Sequence, residues 1–130
     1  MRPARAIALL GAAYALAGCG ASASDQVQAK VQQFAHAVAN RDVTTLCQDI
    51  LAPSLVAHLT AAGISCTAAM ETFVQTVQDP TLSVSRVKVS GKTASAVVLT
   101  TAKGQRASLA TIQLIDTKTG WRLVSLASPT

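Results

Sequence analysis

Residues 79–101, DPTLSVSRVKVSGKTASAVVLTT, divide the chain into two parts of different periodicity. Asp79-Pro80 is a helix stop, and beyond it apolar residues recur at every second position, the period of a half-buried strand. The inward set moves from Leu82 and Val84 to Val87 and Val89, a change of parity that predicts a β-bulge near Ser85-Arg86. Ser90-Gly91 is a turn into a second strand over 92–101, and Lys103-Gly104 a turn into a third over 105–115. Residues 116–120 then lead into a fourth over 121–126. Four strands joined by short turns make an antiparallel meander.

Upstream of Asp79 the period is helical. Ser24 is a cap residue for a first helix whose apolar positions are Val27, Val31, Phe34, Ala35 and Val38. Asn40-Arg41-Asp42 interrupts it, and Asp42 is placed to cap a second helix carrying Val43, Leu46, Cys47, Ile50 and Leu51 inward. Pro53 suits the first turn of a third helix that buries Leu55, Val56, Leu59 and Ala62 and ends at Gly63. Ser65 caps a fourth, over 66–78, with Met70, Phe73, Val74 and Val77 on its apolar side. Helices followed by a meander predict an α+β fold: N-terminal helices packed on one face of a curved antiparallel sheet of about four strands.

The chain has 130 residues, half of them apolar and 13% charged, which excludes disorder and allows about one domain. Its formal net charge is +5, of which Arg2 and Arg5 supply two, and it has one tryptophan, one tyrosine and two phenylalanines. Dispersed basic residues with so few aromatics argue against a nucleic-acid binder, which clusters its cations and interleaves stacking rings.

Arg2 and Arg5 precede an apolar run over 6–18. That run is shorter than the ~20 residues of a membrane-spanning helix and reads as a signal peptide. It ends in Leu16-Ala17-Gly18-Cys19, which resembles the bacterial lipobox. The resemblance implies recognition of Leu16, Ala17 and Gly18 by the lipoprotein signal peptidase and a diacylglyceryl thioether on Cys19. Cleavage between Gly18 and Cys19 follows. Two or three acyl chains would then hold the mature protein on the membrane, because one chain binds only marginally. The alternative is an ordinary secretory signal with a cysteine there by chance. Residue 20 is glycine, so the aspartate that retains Gram-negative lipoproteins at the inner membrane is absent. The expected organisation is a signal peptide over 1–18, a lipidated tether over 19–24 and a domain over 25–130. The expected location is extracytoplasmic, on the cell membrane, or on the outer membrane of a Gram-negative cell.

The first helix running into Ala39-Asn40-Arg41-Asp42, the Leu46-Cys47 and Leu51-Ala52-Pro53 stretches, Cys66, and the closing Gly120-Trp121-Arg122-Leu123 together resemble the NTF2-like (SnoaL-like) superfamily. The likeness is to its small secreted lipoproteins from high-GC bacteria, and it runs from Asp25 to about Ser128. It implies a cone-shaped α+β domain around a pocket. These are helix-end and strand patterns rather than catalytic signatures. Four strands are fewer than the full cone has, and no β-hairpin lies between the helices, so a shallow or closed pocket is expected.

Cys47 and Cys66 remain once Cys19 is assigned to lipid. An exported compartment favours a disulfide between them, both falling on the inward sides of their helices, and two buried free thiols are the alternative. With His58 they fall short of the four closely spaced ligands of structural zinc, so no metal is expected. His36 faces away from its helix's apolar side, and His58 lies at the edge of its own. The only tyrosine, Tyr14, lies in the signal segment. Catalytic members of the superfamily are isomerases and dehydratases with an Asp or His base inside the cone. Asp49 and His58 are the positions here that read neither as caps nor as turns nor as fully solvated. Arg86, Lys88, Lys92, Arg106, Lys118 and Arg122 form either a surface for anionic lipid and wall polymer or, more simply, charge that blunts the sheet. No phosphate loop, nucleophile elbow or cofactor motif occurs. The expected function is a non-enzymatic, lipid-anchored binding or interaction module of the cell envelope. It would take an apolar ligand or an envelope protein in an interior lined by Ala96 and Ala110. The alternative is a small isomerase or dehydratase.

Overall fold

The computed structural model describes residues 22–126, 128 and 129. The signal segment, with Leu16, Ala17, Gly18 and Cys19, lies outside the described residues. Helix α1 (Ala23–Ala39) is capped by Ser22, whose hydroxyl accepts from the Asp25 N–H. The helix therefore starts two residues earlier than a Ser24 cap predicts, and residues expected in the tether are helical. It buries Val27, Val31, Phe34, Ala37 and Val38; Ala35, expected inside, is half-buried. Its C-terminus is closed by the Asp42 N–H donating to the Ala37 carbonyl and the Arg41 N–H to that of Val38. Arg41 takes the left-handed conformation (φ 56°) that this closure requires.

Asp42 then caps helix α2 (Val43–Thr45), accepting from both the N–H and the hydroxyl of Thr45. The chain continues into a wide π turn over Leu46–Ile50, which the helical period did not predict. Leu46, Ile50 and Leu51 are buried by it, while Val43 and Cys47 are half-buried. Helix α3 (Pro53–Ala61) begins at its proline, and Gly63, in the left-handed conformation (φ 79°), turns the chain away just beyond its C-cap Ala62. It buries none of its residues: Leu55, Val56 and Leu59 are half-covered and Ala62 is exposed, so its expected inward face is a boundary. Helix α4 (Cys66–Thr76), capped by Ser65, buries Cys66, Met70 and Val74.

The sheet is a meander in the order β1 (Thr81–Ser90), β2 (Thr93–Ala102), β3 (Gln105–Thr117) and β4 (Gly120–Leu123). A two-residue strand β5 (Ser128–Pro129), absent from the expectation of four, adds to β3. The bulge falls where the parity change puts it: Val84 pairs with Val98 and Arg86 with Val97, leaving Ser85 extra. Small residues face large ones across the inner surface, Ala94 opposite Leu114, Ala96 opposite Ile112 and Ala110 opposite Val98. This alternation lets side chains from α1 and α4 interdigitate with the sheet at close-packed density. Trp121 and Leu123 of β4 complete the inner surface.

β4 also fastens the helical layer. The Ala52 N–H donates to the Leu123 carbonyl (2.8 Å), and Leu51 bridges to Leu123 in parallel. The disulfide between Cys47 and Cys66 joins the π turn to the start of α4, with Cα atoms 6.0 Å apart.

A candidate ligand cavity at the open end of the sheet

Short turns bring the start of β1, the end of β2 and the start of β3 to one end of the sheet. There the Lys103 N–H donates to the Gln78 carbonyl (2.8 Å), which ties the β2–β3 turn to the segment after α4. Asp79, in a left-handed conformation (φ 47°), and Pro80 then turn the chain into β1. The helices do not close this end completely, and a cavity of about 190 Å³ remains, open on one side. Its helical wall is apolar: Phe34, Ala35 and Val38 from α1, Phe73 and Val77 from the α4 end. The Phe34 and Phe73 rings lie 6.4 Å apart at 26°, an offset stack that sets the back of the cavity. Leu82 and Leu126 extend the apolar surface.

The strands supply the polar part of the lining. Thr81, Thr100, Thr101, Gln105 and Arg106 border the cavity. Thr100 donates to the Ser108 carbonyl (3.3 Å), and the Thr81 and Thr101 hydroxyls bond each other across the strands. Arg106 owes its place to a second bulge: Thr100 pairs with Ser108 but Ala102 with Gln105, so Arg106 and Ala107 oppose a single residue of β2. Bulges re-aim side chains in this way. Among the described residues the lining contains a cation and no carboxylate or imidazole.

The sequence-expected site residues lie elsewhere. Asp49 and His58 are exposed, on the π turn and α3, and neither lines this cavity. Ala96 and Ala110 are 0% and 6% exposed in the packed core and not in the cavity wall. Arg122 does not join the basic surface: it turns inward, donating to the Gln48 carbonyl (2.6 Å) and to Thr119 Oγ1 (2.9 Å). Lys30 donates to the neighbouring Asp49 carbonyl (3.2 Å). Two cations thus satisfy the free carbonyls at the end of the π turn, where the helical dipole favours positive charge. Burial, with the Arg122 guanidinium nearby, holds the Lys30 ammonium below the usual lysine range against the pull of Asp49. A second, shallower depression over Cys47, Leu51, Pro53, Val56 and Arg122 is open to solvent on most sides.

Arg106, Gln105 and the threonines were not legible as a site, because each reads locally as a strand-end or turn residue. The topological signal was nonetheless present: in a meander the start of the first strand meets the second hairpin.

Among solved structures, that of a candidate dehydratase from the NTF2-like family of Streptomyces avermitilis matches with a TM-score of 0.57. The match is at 17% identity and covers 83% of this chain and 96% of that one. The domain therefore has the NTF2-like fold, in the form of four helices over a curved antiparallel sheet. No protein-family model and no curated protein matches the chain.

Proposed function

We propose that this chain is a lipid-anchored, extracytoplasmic binding module of the cell envelope that holds a small, largely apolar molecule in the cavity at the open end of its sheet. The observation that carries the reading is the composition of the cavity wall. Its helical side is apolar, two rings stack at its back, and among the described residues no side chain able to act as a general base borders it. The disulfide suits an oxidising compartment.

The anchor reading rests on Leu16-Ala17-Gly18-Cys19. Cys19 lies three residues before Ser22, where the domain begins, so a lipid on it reaches at most ~11 Å to the start of α1. Phe34 lies eleven residues further along α1 than Ala23, roughly 16 Å at helical rise, so the cavity lies toward the C-terminal end of α1. No helix among the described residues is long and apolar enough to cross a membrane. The protein isolated from its membrane should partition into detergent and carry an acyl mass on Cys19, and Cys19→Ala should stay unprocessed. A soluble mature protein without lipid would sink the anchor. Mass spectrometry of small molecules co-purified from intact envelope tests the binding reading.

The second reading is an isomerase or dehydratase working in the same fold, and the description of the Streptomyces avermitilis protein as a candidate dehydratase favours it. Turnover by the purified protein, lost on changing Asp49 or His58 with the fold intact, would replace the binding reading by this one.

A further inference from the structure

We infer that the ligand of this cavity is a small organic monocarboxylate with an apolar body of six to eight carbons, its charged end on Arg106 and its body between Phe34 and Val77. The inference rests on the reading of the cavity as a binding site and adds its ligand class. The polar groups of the cavity all come from the strands, beside Leu82 and Ala102, while the helical side is wholly apolar, which suits an amphiphile lying across it rather than a uniformly apolar molecule. On the polar side the threonines are engaged: Thr100 with Ser108, and Thr81 with Thr101. Among the described residues the side chains of Gln105 and Arg106 have no hydrogen bond or ion pair, so with the one hydroxyl proton that the Thr81–Thr101 pair leaves over they are the donors open to a ligand, and Arg106 is the charged one. The second bulge in β3 puts Arg106 at the cavity, and among the described residues no acidic side chain lines it to neutralise the charge.

A guanidinium presents a planar fork that matches a carboxylate, and the Gln105 amide adds a neutral donor beside it. A cationic amphiphile would meet Arg106 unfavourably, and a neutral one would leave it unused. Size sets the body: about 190 Å³ somewhat exceeds the ~150 Å³ in which an apolar cavity accepts benzene. Longer chains would project into solvent through the open side.

The test is calorimetry of the full chain with octanoate, octan-1-ol and octylammonium, repeated on Arg106→Gln and Ala35→Phe. Octanoate should bind about fivefold more tightly than octan-1-ol, the ~1 kcal/mol of a well-formed but partly exposed ion pair, and octylammonium most weakly. Arg106→Gln should erase the advantage of octanoate and leave octan-1-ol unchanged, while Ala35→Phe, which narrows the cavity from α1, should abolish all binding. Octan-1-ol or octylammonium binding as tightly as octanoate, or Arg106→Gln leaving octanoate unaffected, would overturn the carboxylate assignment and leave the binding site standing. No binding by any of the three to folded protein would overturn both.

Discussion

Breaking the Cys47–Cys66 bridge is the perturbation whose size can be worked most directly. The cysteines are separated by 19 residues, and closing a loop of that length removes about 3 kcal/mol of chain entropy from the unfolded state. For a domain of about 100 residues the unfolding entropy converts this to a fall of roughly 12–15 °C in Tm. The two ends are unlike: Cys66 is 9% exposed at the first position of α4, and Cys47 is half-buried on the π turn. Cys66→Ala therefore loses slightly more than Cys47→Ala through its own burial. Either substitution deletes the same crosslink, so Cys47→Ala with Cys66→Ala should fall close to the Cys66→Ala value. Scanning calorimetry of the wild type and the three variants, with and without reductant, reads this out; reductant should move only the wild type. Because α4 carries Phe73 and the cavity-lining Val77 follows it, the reduced protein should also bind ligand more weakly. Strictly additive losses, or rapid alkylation of the native protein, would refute the reasoning.

Asp42 accepts two hydrogen bonds from Thr45, which hold its carboxyl below the usual aspartate range. A folded pKa below the unfolded one contributes stability that is present above the unfolded value and is lost as pH falls through the folded one. Asp42→Asn should therefore flatten the acid limb of a stability-versus-pH curve below about pH 4. Arg122→Met leaves the Gln48 carbonyl without its donor and should cost about 1–3 kcal/mol in urea unfolding; it should also raise the Lys30 pKa measured by NMR, since a neighbouring cation is removed. Asp49→Asn with His58→Gln should leave ligand binding unchanged in calorimetry, both residues lying outside the cavity wall. Ala96→Phe or Ala110→Phe should instead cost the fold itself, seen as lost cooperativity in circular dichroism melts, because overpacking a closed core forces neighbours off their rotamers.

The architecture was legible because its determinants are local. The switch from helical to alternating period at Asp79-Pro80, the parity change that announces the Ser85 bulge, the caps at Asp42 and Ser65 and the first-turn proline Pro53 all act over a few residues. A sequence reading fails where energies are nearly balanced. Ser22 and Ser24 are equally good caps, and the helix took the earlier one. The π turn over Leu46–Ile50 departs from the helical period, and it carries Cys47 toward Cys66 and Leu46 and Ile50 into the core. The amphipathic pattern of α3 predicts an inward face, but the core is already filled by α1, the π turn and α4, so that face stays at the boundary.

The candidate site was decided by tertiary structure alone. Asp49 and His58 stand out in the sequence because nothing local explains them, yet what a side chain faces depends on elements distant in sequence. Arg106 looked like one of several strand cations, and Arg122 like another. The register shift between β2 and β3 put the first at a cavity, whereas the free carbonyls of the π turn, more than seventy residues upstream, drew the second inward. Periodicity and capping are properties of neighbouring residues and can be read from them. The charge and shape of a cavity belong to groups that meet only when the sheet and helices pack.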